Sequence, residues 1–495
     1  MLNGHPSEPV VTLEHFYETC AMGRHADIVA LLGRFPASAR IRDPIAIALR
    51  GMKAVTGGDM PGGLALLKRS AAHSDGRVRA YILDLLMPVM VSTNEIDEVA
   101  RLLETTEDVA EELVPAFLSM RAIVAARQGA DVASAAYSRE ALEIGRGMDN
   151  ASIVGRTLQR TGLAAFYRED FEEAQERALE AARWFERIES HSNAAKSYSI
   201  LYVIAHDWLS DPDVTRFYAR RMTMSAHLAG DASLENLGLL SQLETAAEAG
   251  DSRRFGSIRG RLFANPLNEQ YYLTRFNYVI SEVLSSGWAG HFEVARASLT
   301  SLRQSDQLSL PERSLCDALL AVVALTTWQL DLARSFARRA ISQTSERSGN
   351  EPLFDARRRR IARILAAAVC IIVGDTTRGR RALSRTVDPE QRFASLISPH
   401  GMDEERTPAL MRGYARFINQ ACASASLVRP RYGLTDAELE ILKALPEGLT
   451  LATIASSLGK SKKTVEKQVG SIYSKLEVGN RAEAVRRARD LGIYA

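Results

Sequence analysis

Apolar residues recur at three- and four-residue spacing almost without interruption from about residue 10 to residue 420. That period gathers them on one stripe of an α-helix, so the pattern predicts helix after helix over this span. Short breaks punctuate it: GGD at 57–59, QGAD at 128–131, AGD at 249–251 and VGD at 373–375. Glycine tolerates the left-handed backbone that ends a helix, and aspartate caps the next one. Each break therefore predicts a tight turn between antiparallel neighbours. Helices paired in this way must bury their stripes against the next pair, which predicts a stacked superhelical array.

A finer spacing runs through the same region. Small residues fall 12 and then 7 positions apart at Gly162, Ala174 and Ala181, at Ala321, Ala333 and Ala340, and less cleanly at Ala122, Ser134 and Ala141. Such residues let the two helices of a hairpin approach closely. The spacing resembles the tetratricopeptide repeat, with segment 151–190 the best copy and about five to nine hairpins in all.

The stretch CASASLVRPRYG (422–433) predicts a linker, and the punctuation becomes regular after Gly433. Thr435 and Glu438 form a capping-box pattern that opens a helix through about Leu445, with Leu439, Leu442 and Leu445 inward. Thr450 can cap a helix over Leu451–Leu458, Gly459 supplies a turn, and Ser461 can cap a third helix to about Leu476. Asn480 with Glu483 makes a second capping box, opening a helix that runs to Leu491. Four short helices, the middle two joined by a glycine turn, predict a helix-turn-helix. The whole chain is thus expected to be all-α. The expected divisions are 1–421 as a sensing or oligomerisation region, 422–433 as a linker and 434–495 as a DNA-binding domain.

The third helix of that domain carries the candidate chemistry. Val465, Val469, Ile472 and Leu476 form its apolar stripe, while Lys463, Glu466, Lys467, Gly470, Ser471 and Ser474 lie opposite, flanked by Lys460, Lys462 and Lys475. The chain as a whole has a formal net charge of only +2, yet residues 460–490 hold nine cations against four anions. Positive charge concentrated on a small helical unit is what neutralising DNA phosphates requires.

The segment from Leu434 to Gly492 resembles the LuxR-type (GerE- or NarL-type) DNA-binding domain. Matching residues include Leu434, Thr435, Glu438, Glu440, Leu442, Gly448, Ile454, Ala455, Leu458, Ser461, Thr464, Val465, Ile472, Lys475, Leu476, Val478, Arg481 and Ala484. The resemblance implies that Lys462–Leu476 is a recognition helix in the major groove of double-stranded DNA. It implies that Glu466, Lys467 and Gly470 face base edges, and that Thr450, Thr464 and Lys475 face phosphates. Lys462, Lys463 and Ser471 complete the expected DNA-binding set, and the fourth helix would make a homodimer contact. Three positions depart from the family pattern: Gln468 stands where His is usual, Ala437 where Arg is usual and Thr453 where an acid is usual. The last two remove an expected intradomain ion pair.

The remaining features narrow the alternatives. No GxxxxGK[ST] loop occurs, so the ATPase of the MalT-like branch is missing while its helical sensor arm is resembled. Cys20, Cys316, Cys370 and Cys422 include no CxxC pair, and the nine histidines form no HxxxH or HExxH pair. Neither metal nor cofactor is expected, nor an enzyme, and the cysteine usage suits a reducing cytoplasm. The N-terminus shows no secretory pattern, and no apolar run is long enough for a bilayer. The arginine tract at 357–363 and 378–385 predicts a solvated helix face, and the group Trp184, Tyr198, Tyr202 and Trp208 predicts core packing. The leading expectation is a transcriptional regulator whose helical array binds an effector, a partner or a second protomer. The alternative is an interaction scaffold whose C-terminal helices serve dimerisation or docking only.

Overall fold

The structure is a computed structural model that describes residues 11–106, 109–206, 211–264, 272–344, 353–384, 395–398, 401–403, 406–407, 409–431 and 434–490. Its first helices are α1 (Leu13–Met22), α2 (His25–Gly33), α3 (Ala39–Arg42), α4 (Pro44–Thr56), α5 (Met60–Ala72), α6 (Gly76–Ser92) and α7 (Ile96–Thr105). There follow α8 (Val114–Arg127), α9 (Asp131–Gly147), α10 (Ala151–Tyr167), α11 (Phe171–Arg187), α12 (His191–Ile204), α13 (Pro212–Ala229), α14 (Ala232–Ala249) and α15 (Ser252–Leu262). Next come α16 (Tyr272–Trp288), α17 (Phe292–Arg303), α18 (Leu310–Thr326), α19 (Leu330–Gln343), α20 (Leu353–Ile372), α21 (Thr376–Ser384) and α22 (Ala409–Arg431). The last four are α23 (Asp436–Ala444), α24 (Leu451–Ser457), α25 (Lys462–Leu476) and α26 (Arg481–Asp490).

One turn joins most hairpins. The residue after a helix adopts a left-handed conformation, and the N–H that follows donates to a carbonyl five residues back. Gly58, Gly129, Gly250 and Gly374 take this role at the four sequence breaks, with φ of +98°, +75°, +70° and +87°. The closing bonds include Asp59 N to Ala54 O and Asp375 N to Cys370 O, both 2.8 Å. Asn94, Glu169, Glu189 and Trp328 occupy the same conformation without being glycine, and their turns close alike, with Ser190 N to Phe185 O at 2.8 Å. The bond satisfies a carbonyl that the helix end would leave unpaired.

The small-residue spacing falls at the helix crossings. Ala174, Ala181, Ala321, Ala333, Ala340, Ala122 and Ala141 are fully buried. A Cβ added at Gly162 would stand 3.2 Å from the Arg177 Cβ and 3.4 Å from the Ala178 N, because α10 and α11 touch backbone to backbone there. Ser134 Oγ donates to the Ala122 carbonyl at 2.8 Å, so even the imperfect copy marks the α8–α9 contact. Short side chains at these points bring the helix axes together and leave little void.

The chain falls into two compact units, Met1–Thr245 with Arg253–Arg275, and Ala246–Ser252 with Phe276–Ala495. Among the described residues, the second unit departs from a purely helical plan at one place: Ile397–Ser398 pairs antiparallel with Gly401–Met402. Asn419 on α22 holds this hairpin, accepting from Met402 N at 2.8 Å and donating to Met402 O at 2.9 Å. The segment 422–433, expected as linker, continues α22 as far as Arg431. Its alanines and serines contain no breaker before Pro430, so nothing stops the helix earlier.

Candidate nucleic-acid interface

Helices α23 to α26 enclose a core of their own. Leu434, Ile441, Leu442, Leu445, Ile454, Ala455, Val465, Val469, Ile472, Leu476, Ala484 and Ala488 are buried together. Burying each large side chain contributes about 1.5–3 kcal/mol before chain entropy is counted. Leu439 and Leu458 are only partly buried at the rim.

The caps follow from the sequence. Thr435 N donates to Glu438 Oε2 at 2.6 Å, and Glu438 N donates back to Thr435 Oγ1 at 3.3 Å. Thr450 accepts from Thr453 N at 3.2 Å to start α24, and Ser461 accepts from Thr464 N at 3.1 Å to start α25. Between them Gly459 sits at φ +62°, with Lys460 N donating to Ala455 O at 2.8 Å. The second capping box forms differently. Asn480 accepts from Glu483 N at 2.9 Å, but the Glu483 carboxylate takes the N–H of Gly479, at 2.8 Å. Helix α25 ends on Glu477, which is left-handed at φ +53°.

On α25 the buried stripe turns one face inward and leaves the opposite one open. Lys463, Glu466, Lys467, Gly470 and Ser474 are all exposed, as are Lys462, Thr464 and Thr450. Lys462 lies 3.6 Å from Glu466 one turn on, and the Thr464 hydroxyl is 2.7 Å from Ser461 Oγ. A Cβ built at Gly470 would meet nothing within 4 Å.

Two members of the expected set stand elsewhere. Lys475, expected toward phosphate, places its Nζ 2.7 and 2.9 Å from the two carboxylate oxygens of Glu438, whose side chain is 6% exposed. Ser471, one turn earlier on the same stripe, also hydrogen-bonds that carboxylate. Burial alone would raise the Glu438 carboxyl, but the bonds from Lys475, Ser471 and Thr435 outweigh it and hold the group at about 2. The sequence pattern shows Glu438 as a cap, and nothing local shows that it also receives a lysine 37 residues away.

The local positive charge is likewise partly engaged. Arg481 donates from Nε to Leu445 O at 2.9 Å, from Nη1 to Leu449 O at 2.7 Å and from Nη2 to Leu445 O. It fastens the start of α26 to the loop before α24, a role the sequence did not announce. Lys460 pairs with Glu440 at 3.2 Å. Among the described residues of this domain, Lys443, Lys463, Lys467, Arg486 and Arg487 are exposed cations without an ion pair. Trp328, on the turn between α18 and α19, packs against the rim of the domain core.

The other sequence candidates resolve more simply. Arg358 pairs with Glu312 at 2.7 Å and Asp355 at 3.2 Å and lies over the Phe276 ring, so the arginine tract is partly internal. Arg385 lies outside the described residues, as does Trp208. Tyr198 and Tyr202 are buried, their hydroxyls donating to Glu186 and Glu244 at 2.6 and 2.9 Å. The four cysteines are free, and burial pushes the Cys370 and Cys422 thiols up to about 11. No helix among the described residues is long and apolar enough to cross a membrane.

Helices α24 and α25, with the tight turn between them and an open polar face on the second, define a helix-turn-helix module. Residues 433–488 match the family of bacterial regulatory proteins called the luxR family, and this segment is a LuxR-family domain. A 60-residue stretch is 45% identical to the transcriptional regulatory protein YdfI of Bacillus subtilis (strain 168). That stretch is 12% of this chain and 28% of that relative, so the chain spans little more than a quarter of the relative's length.

Proposed function

We propose that this protein is a DNA-binding transcriptional regulator whose α25 enters the major groove of double-stranded DNA. The observation that carries the reading is the exposed face of α25, where Lys463 and Lys467 stand unpaired around Glu466 and Gly470. Lys463, Lys462, Thr464 and Thr450 meet the phosphate backbone, and Glu466, Lys467 and Gly470 face the bases. Ser471 and Lys475 join α25 to α23 and contribute through the fold. One such helix reads few base pairs, so two protomers bind adjacent half-sites, with α26 between them. The helical hairpins form a tetratricopeptide-like array that takes an effector or partner, a reading supported by the recurrent turn and the small-residue spacing. The protein works in the cytoplasm and needs no cofactor.

Selection of bound fragments from genomic DNA by the full-length protein tests this. A shared motif with two half-sites is expected. Recovery of unrelated fragments, with no preference over a charge-matched competitor, would sink the regulator reading in favour of a docking scaffold.

A further inference from the structure

Helix α1 packs against helices far along the chain. Its Tyr17 hydroxyl donates to Asp84 Oδ2 on α6 at 2.5 Å and accepts from Arg156 Nη1 on α10, while its ring meets Tyr81 edge-on at 4.6 Å. At its other end, Asn193 Nδ2 on α12 donates to Ala21 O at 2.7 Å, and Ser190 Oγ donates to Met22 O at 3.4 Å. Phe16 and Cys20, 0% and 2% exposed, fill the space between.

The seat beneath α1 is held together without it. Asp84 accepts from Arg156 at 3.1 Å and Arg160 at 2.5 Å, and Arg160 reaches the Ala116 and Asp84 carbonyls at 3.3 Å. Gln159 Nε2 ties α10 to α12 through Asn193 O at 2.7 Å and Ser197 Oγ at 2.8 Å. None of these bonds involves α1, and the polar groups it covers are ones that water can satisfy, whereas the apolar surface under Phe16, Tyr17, Cys20 and Ala21 needs a replacement of the same kind. What α1 supplies is modest and transferable. Its last carbonyls are those any helix offers, and its specific contributions are a phenol against Asp84 and Arg156 and two apolar anchors.

We propose that this seat is a receptor for a helical peptide, with α1 as its resident ligand in cis. The inference rests on the reading that the helical region takes a partner, and it names that partner's chemistry. The ligand is a short amphipathic helix with an aromatic–tyrosine pair and, one turn on, two small residues, as Phe16, Tyr17, Cys20 and Ala21 stand here. Two guanidinium groups facing one carboxylate favour a ligand oxygen at the Tyr17 position, and a phenol both accepts and donates there. A free peptide competes with a tethered one, so the intact chain binds it weakly until α1 lifts.

Gly23 provides the test. It sits at φ +69°, and a Cβ there would fall 2.7 Å from Ser192 Oγ. Gly23→Ala thus presses on Ser192 of α12 and disfavours the cis arrangement, while the anchors and the Asp84, Arg156 and Gln159 contacts of the seat are not among the atoms it meets. A labelled peptide spanning residues 11–22 is titrated by fluorescence anisotropy against full-length wild type and Gly23→Ala. The variant is expected to bind about tenfold tighter, an added Asn193→Ala to reverse the gain, and a peptide with Phe for Tyr17 to bind about fivefold weaker. A folded Gly23→Ala chain that binds no tighter than wild type overturns the proposal. Should the variant misfold, hydrogen exchange of the wild type decides instead. Amides of α1 must exchange faster than those of α10, and exchange of both only through global unfolding overturns it. DNA titrations on the same samples separate the readings, because loss of DNA binding with peptide binding intact counts against the regulator alone.

Discussion

The Glu438 carboxylate and the Lys475 ammonium meet at 2.7 Å, linking the first turn of α23 to the last turn of α25. The pair ties the position of α25 to the rest of its domain, and it makes that position pH-dependent. The folded-state carboxyl is held at about 2 against an ordinary 4.5. Stability from this group is therefore present above pH 4.5 and lost as pH falls from 4.5 toward 2. Thermal unfolding of wild type and Glu438→Gln across that range should converge at the acid end, with a difference of about 1–2 kcal/mol at neutral pH. Parallel curves would show that the carboxylate is not the titrating group.

Charge and readout on α25 should separate by mutation. Lys463→Ala is expected to weaken binding to operator and scrambled duplexes alike and to lower the salt slope by about one unit, since one fewer counterion is released. Glu466→Ala removes a charge that phosphate repels. Non-specific affinity should hold or rise while discrimination at one base falls by about 1–3 kcal/mol. An unchanged salt slope for Lys463→Ala would place α25 away from the DNA.

Arg481 supplies a planar fork to two carbonyl acceptors, which a lysine cannot reproduce. Arg481→Ala and Arg481→Lys should therefore both destabilise the C-terminal domain by about 1–3 kcal/mol. Urea unfolding followed by circular dichroism measures this, and full rescue by lysine would show that charge alone matters there.

A fragment spanning residues 430–495 should fold by itself, because its caps and its core are self-contained. Its circular dichroism spectrum should be helical in native salt. Under the proposed two-protomer reading it should also bind DNA more weakly than the full chain. A random-coil spectrum would mean that the Trp328 contact, or another, is required for folding.

Glu477 ends α25 in a left-handed conformation that costs a non-glycine residue about 1–2 kcal/mol. Glu477→Gly relieves this but loosens the unfolded chain, so a net gain of about 0.5–1 kcal/mol in the melting experiment is expected. A loss would point to a role for the carboxylate.

What the sequence made legible was local. The third helix was expected over Lys462–Leu476 and spans those residues, since Ser461 caps it and its apolar stripe has no ambiguity. The turns at Gly58, Gly129, Gly250 and Gly374 could be found because glycine is the residue that the left-handed region favours. The turns at Glu169, Glu189 and Trp328 could not, because the surrounding packing imposes the conformation on residues that carry no such signal. The same limit applies to the candidate site. Exposure of Lys463 and Lys467 follows from helical period, whereas the diversion of Lys475 and Ser471 to Glu438 depends on how α23 crosses α25. Period says which way a residue points on its own helix; it is silent on what waits there from another.

Gly470 leaves a gap on the open face of α25, where a Cβ would meet nothing within 4 Å beyond the adjoining backbone of its own helix. A side chain added there displaces nothing, and exchanging glycine for alanine inside a helix is itself worth about 1 kcal/mol. On the proposed reading, in which Gly470 faces the bases, a duplicated copy of this protein would change its base preference through a single codon change, with no compensating repair elsewhere in the fold. If α25 reads DNA as proposed, paralogues diverging at this one position would come to serve separate sets of sites while sharing the same scaffold.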